Sequence, residues 1–133
     1  LPINEVPGMS SNTFAVETDR ENNLLVIRYR GRIAPAIVER CCLRVRAALE
    51  EMKPGFELLA DFTDLESMDP ACVPHVEKIM RLCNAKGVSA IVRVIPDPKR
   101  DIGLQIMSHF HYDPNVRIVT CPVIDEARAQ LTV

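Results

Sequence analysis

The chain has no tryptophan, and only two tyrosines and four phenylalanines among its 133 residues. A stacking surface of the kind that single-stranded nucleic acid needs therefore has almost no material to be built from. Excess charge is also missing: sixteen Lys plus Arg against eighteen Asp plus Glu leave a formal net charge of -2, with no basic run to neutralise phosphates. No apolar run approaches the roughly 20 residues that span a bilayer, and the N-terminus lacks the basic-then-apolar order of a signal peptide. Neither nucleic acid nor membrane is an expected partner. No glycine-rich phosphate loop and no serine-nucleophile elbow is present to argue for nucleotide chemistry or acyl transfer. The five cysteines, Cys41, Cys42, Cys72, Cys83 and Cys121, form no C-x-x-C pair and no disulfide-framework spacing; reduced thiols in a cytoplasm are the simplest account.

What is present is a hydrophobic content of 47%, enough at this length for one core and too little chain for two comfortable domains. Leu1 to Asn12 mixes Pro, Gly, Ser and Asn without periodicity and reads as a flexible leader, leaving residues 13–133 as a single domain. Phe14, Val16 and Thr18 alternate with polar or small neighbours, and Leu24 to Tyr29 follows a turn-like Asp19 to Asn23, so the pattern predicts a hairpin. From Pro35 to Met52 apolar residues fall at Val38, Cys41, Cys42, Val45, Leu49 and Met52, which predicts a surface helix halted by Pro54 and Gly55. Phe56 to Phe62 reads as a strand, and Val76, Ile79, Met80 and Cys83 as the stripe of a helix ending at Lys86 and Gly87. Val88 to Ile95 is an almost wholly apolar strand, expected mid-sheet. Asp97 and Pro98 supply a cap and first-turn proline for a helix to Phe110. Val116 to Cys121 is a last strand, and Ile124 to Leu131 a closing helix. Helical crossovers return a chain in the same direction, so the expectation is an α/β domain: a mixed sheet with an N-terminal hairpin, later strands parallel, and helices packed on it.

On specific residues, the chain resembles the STAS domain, the family of anti-sigma-factor antagonists and of the cytoplasmic domains of sulfate transporters. The resemblance runs from about Phe14 to Leu131. It is carried by ELLADFTDLESMDPAC (57–72), a helix ending in Ala85, Lys86 and Gly87, the strand VSAIVRVI (88–95), the loop and helix start PDPKR (96–100), and VRIVTCPVIDEARAQL (116–131). It implies a STAS-like fold and a non-enzymatic regulatory role with a protein partner. In antagonists of that family the turn before the second helix reads Asp-Ser-Ser-Gly, and a kinase phosphorylates the first serine. The matching residues here are Asp69, Pro70, Ala71 and Cys72, so the resemblance implies a partner-binding segment, Asp69 to Val76 with His75 in it, that has lost its phosphoacceptor. Ser67 and Thr63 are displaced from that position.

The local physics of the segment is its own. A regular helix running through Pro74 would lose a backbone bond and meet a ring clash, at about 3 kcal/mol, and Val73 before a proline is pushed away from helical angles. The expectation is a separate turn over Asp69 to Val73, with the regular helix starting near Pro74. Around it, Asp61, Asp64, Glu66 and Asp69 are expected to form an acidic rim around the strand end, where open α/β sheets bind ligands.

Two alternatives have residues behind them. A small apolar or anionic ligand at the sheet end would use Lys99 and Arg100, both in a first helical turn whose amides attract negative charge. A thiol or metal enzyme would use Cys72 at a helix start, or the cluster His109, His111 and Asp113. However, no histidine is fixed as a base for Cys72, and a zinc site needs three or four converging ligands. The expectation is no catalytic residue, no metal and no cofactor. The hairpin leaves a sheet edge open, and a symmetric homodimer is the common way to satisfy one.

Overall fold

The computed structural model describes residues 12–97 and 111–132. The chain opens with β1 (Thr13–Asp19), which pairs antiparallel with β2 (Leu24–Ile33), as the alternation predicts. Their turn is held by the Asp19 carboxylate, which accepts from the Asn22 amide at 3.2 Å and from its side chain at 2.8 Å. Asn23 takes the left-handed conformation (φ 53°) that asparagine tolerates.

Helix α1 (Pro35–Leu49) follows, with proline in its first turn, where no intrahelical bond is lost. It stops three residues short of the expected Met52 because the chain tightens: the amides of Glu51 and Met52 bond to the carbonyls of Ala48 and Leu49. Met52 remains buried all the same. Next come β3 (Glu57–Met68), a short 3-10 turn (Pro70–Cys72), α2 (Val73–Lys86), β4 (Ala90–Val94), β5 (Arg117–Cys121) and α3 (Ile124–Ala129). The strands form one sheet in the order β1-β2-β3-β4-β5, antiparallel at β1–β2 and parallel thereafter. β4 lies between β3 and β5, which explains its uninterrupted burial. The helix expected over Pro98 to Phe110 lies outside the described residues.

Two apolar layers flank the sheet. On one face Leu25, Ile27, Tyr29, Leu58, Phe62 and Ile91 meet the inward stripes of α1 and α2. On the other, Val26, Leu59, Val92 and Cys121 meet Ala127 and Leu131 from the C-terminal segment. The buried carboxylate of Glu57 ties that segment down, accepting from the Thr132 amide at 3.0 Å and its hydroxyl at 2.8 Å.

One element differs substantially from the sequence expectation. β3 does not end at Phe62 but continues to Met68, paired with Arg30 to Ile33 of β2 through two register shifts. Gly31 sits at one of them with φ 82°, and a Cβ there would come within 2.4 Å of the Asn12 side-chain oxygen, which accepts from the Arg32 amide. The shifts break the period of two, so only Leu65 and Met68 point inward from the extension and the strand is disguised as a polar loop. Asp64 and Glu66, expected beyond the strand end, are therefore strand residues like Asp61. They sit against arginines: Arg28 Nε lies 3.4 Å from Asp61, Arg30 is the register partner of Asp64, and Arg32 lies 4.0 Å from Glu66.

Candidate functional site

The extension of β3 delivers the chain to the segment singled out in the sequence. The Asp69 amide bonds to the carbonyl of Ile33, the last residue of β2, at 3.0 Å, which fixes where the turn begins. Asp69 is extended and caps the 3-10 turn: its Oδ1 accepts from the Ala71 amide at 2.8 Å, and its carbonyl accepts from the Cys72 amide at 2.8 Å. Pro70 occupies the first position of this turn, where a missing N–H costs nothing. The separate turn ahead of the helix is thus present. Val73 corrects the finer expectation: at φ −50°, ψ −48° it is helical despite preceding Pro74. The pre-proline preference is outweighed because both ends of the turn are anchored, by the buried Cys72 before it and Val76 after it. Pro74 falls in the first turn of α2, among the amides that have no intrahelical partner in any case.

This anchoring divides the segment. Asp69, Pro70, Ala71 and Pro74 are exposed and His75 is half-buried, whereas Cys72 and Val76 face the core. Cys72 is 0% exposed, with its Sγ 3.6 Å from the Ile33 carbonyl. Burial, and then the neighbouring Asp69 charge, push its thiol above the ordinary value, the opposite of the activation a helix start could give. The remaining thiols are buried as well. Burial raises Cys41 to about 11 and Cys83 to about 12. Beside the turn, Arg32, Ile33, Ala34, Ser67, Met68, Asp69 and Pro70 line an open depression of about 390 Å³. It lies at the C-terminal end of β3, the end where α/β sheets present their binding loops.

Of the histidine cluster, the described members His111 and Asp113 each bond to a different residue of α2. His111 Nε2 lies 2.9 Å from the Glu77 carboxylate on α2, the Asp113 amide donates to Asn84 at 2.9 Å, and Tyr112 turns into the core. His109, like Lys99 and Arg100, lies outside the described residues. Among the described residues no group of three or more His, Cys, Asp and Glu converges as metal ligands, and no helix is long and apolar enough to cross a membrane.

Two features went unmarked in the sequence. Arg93, in the central strand β4, is 2% exposed. With Tyr112, Ile79, Met80 and Phe62 it lines an apolar cavity of about 50 Å³ between the sheet and α2. Its only sequence signal is one charge within the run AIVRV (90–94). The second is Leu43, 61% exposed on the outer face of α1.

Five strands in this order, with α1 and α2 on one face, define the class: the fold is STAS-like. More narrowly it is SpoIIAA-like. An uncharacterised protein of the DUF3478 family with a SpoIIAA-like fold, from Shewanella loihica PV-4, superposes with a TM-score of 0.69 at 18% identity, covering 93% of this chain and 99% of that one. The anti-sigma factor antagonist SpoIIAA in its unphosphorylated form gives 0.63 at 20% identity, with coverage of 89% and 96%. An anti-sigma factor antagonist from Mycobacterium paratuberculosis gives 0.57 at 15%, with coverage of 92% and 97%. At the level of sequence, no family model and no curated protein matches the chain.

Proposed function

We propose that the chain is a non-enzymatic regulatory domain that docks a protein partner through the surface of Asp69, Pro70, Ala71 and His75, without a phosphoserine switch. Solved anti-sigma factor antagonists share its fold, which supports a regulatory, cytoplasmic role. One observation carries the finer reading. The residues from Asp69 to Val76 include no serine, threonine or tyrosine, yet the turn is held in one shape by the Asp69 cap and the Ile33 carbonyl. A rigid exposed turn with no acceptor oxygen suits constitutive recognition, because little ordering entropy is lost on binding. The buried thiols offer no exposed nucleophile that would favour an enzyme.

The test uses Ala71→Arg, which adds bulk to an exposed position while leaving the backbone cap intact. A partner captured by the wild-type chain from an extract of its source cells should be lost with this variant at unchanged melting temperature. Equal capture by both chains would remove the site from Asp69 to His75. The small-ligand alternative gains little from the cavity at Arg93, since about 50 Å³ holds a water or two, whereas ligand pockets run to roughly 300–1,000 Å³.

A further inference from the structure

The outer edge of the sheet carries a second, differently built surface. β1 pairs with β2 on one side and, among the described residues, has no strand on the other. A free edge presents a row of backbone donors and acceptors. Between that edge and α1 runs an open groove of about 700 Å³, lined by Thr13, Phe14, Val16, Arg40, Leu43 and Arg44. Phe14 and Val16 are only half-buried against the core, and Leu43 is the more exposed of the two large apolar side chains that stand out on the described surface.

Charge decides what fits. On the opposite face of the sheet Glu17 pairs with Arg28, which also reaches Asp61, so that arginine is already engaged by carboxylates of its own chain. On the groove side, Arg40 and Arg44 form no ion pair among the described residues. A second copy paired edge to edge about a two-fold axis would bring both copies' Arg40 and Arg44 together, four like charges at one seam, which disfavours self-association here.

We propose that this groove binds an extended acidic segment of a partner protein, added to the sheet as a strand beside β1, with an apolar side chain on Leu43 and Val16 and acidic side chains on Arg40 and Arg44. Side chains alternate along a strand, so the recognised pattern is acid-x-apolar-x-acid, with main-chain bonds supplying affinity and the groove supplying selectivity. The site is separate from the Asp69 turn and independent of it.

The probe is the acetylated, amidated peptide Thr-Glu-Thr-Leu-Thr-Glu-Thr, titrated into isotope-labelled full chain and followed by amide shifts. Saturable shifts concentrated on Thr13 to Asp19 and around Leu43 are expected. Affinity should fall at least tenfold for the double variant Arg40→Glu, Arg44→Glu, for Leu43→Ser, and for a control peptide with lysine in place of both glutamates. All three altered positions are exposed, so folding is preserved and can be verified by unchanged shifts in the core. Equal binding of the lysine peptide, absence of saturable binding, or shifts elsewhere would overturn the proposal. So would binding that occurs only after residues 1–11 are deleted, or a concentration-dependent dimer abolished by Leu43→Ser; these would give the groove to the chain's own N-terminus or to a second copy.

Discussion

The Asp69 carboxylate accepts the Ala71 amide at 2.8 Å across Pro70, closing a turn whose first residue has no hydroxyl and whose last, Cys72, is buried. This contact fixes the exposed face of the candidate site and makes its energetic weight measurable. Removing a capping carboxylate costs about 1 kcal/mol, which in a chain of this size corresponds to a few degrees of melting temperature. Asp69→Ala should show that loss and Asp69→Asn, which caps equally well, should not. Equal losses would mean that charge rather than capping holds the turn.

The thiols should be inert in the native state. Cys41 and Cys83 titrate near 11 and 12 because burial opposes the thiolate, and Cys72 is displaced in the same direction. A thiol-reactive disulfide dye at pH 8 should label essentially none of the five thiols until denaturant is added. Rapid native labelling of Cys72 would contradict its burial and reopen thiol chemistry.

The same shifts set an alkaline limit on stability. A thiol in the unfolded chain loses its proton near pH 9, whereas Cys41 and Cys83 keep theirs to about 11 and 12 in the folded state. Above pH 9 the unfolded state therefore binds fewer protons, and stability falls with pH across that window while being fully present below it. Melting temperature should decline from pH 9 to pH 11, and less steeply in Cys83→Ala. An identical slope in wild type and variant would show that Cys83 is not protected.

The face of α2 is tested by Ile79, buried between the sheet and the helix stripe. Ile79→Ala should cost about 2–5 kcal/mol by lost transfer energy and the enlarged cavity, read as a lower urea midpoint at unchanged slope. Stability within experimental error of wild type would mean that this face does not meet the sheet.

The architecture was legible because helix and strand periods were clean wherever one face meets a core: the hairpin, the stripes Val38 to Leu49 and Val76 to Cys83, and the apolar β4 all stand where the pattern placed them. The extension of β3 was not, since the register shifts opposite Gly31 spoil alternation and place Asp64 and Glu66 on a strand that reads as loop. The candidate segment was placed by the resemblance of Asp69 to Cys72 to the family turn, and its prolines suggested a separate turn there, but the inward orientation of Cys72 depends on Ile33, far away in sequence. Arg93 and the Leu43 groove were illegible for the same reason: both depend on which elements become neighbours across the sheet.

On the proposed function, the Asp69 turn recognises its partner without a phosphorylation switch. The most direct measurement exposes the chain to an antagonist-type kinase and ATP, maps phosphate by mass spectrometry, and compares partner capture before and after. No phosphate from Asp69 to Val76 and unchanged capture are expected. Stoichiometric phosphorylation of Ser67 or Thr63 that abolishes capture would contradict it, because the switch would then have moved along β3 rather than vanished.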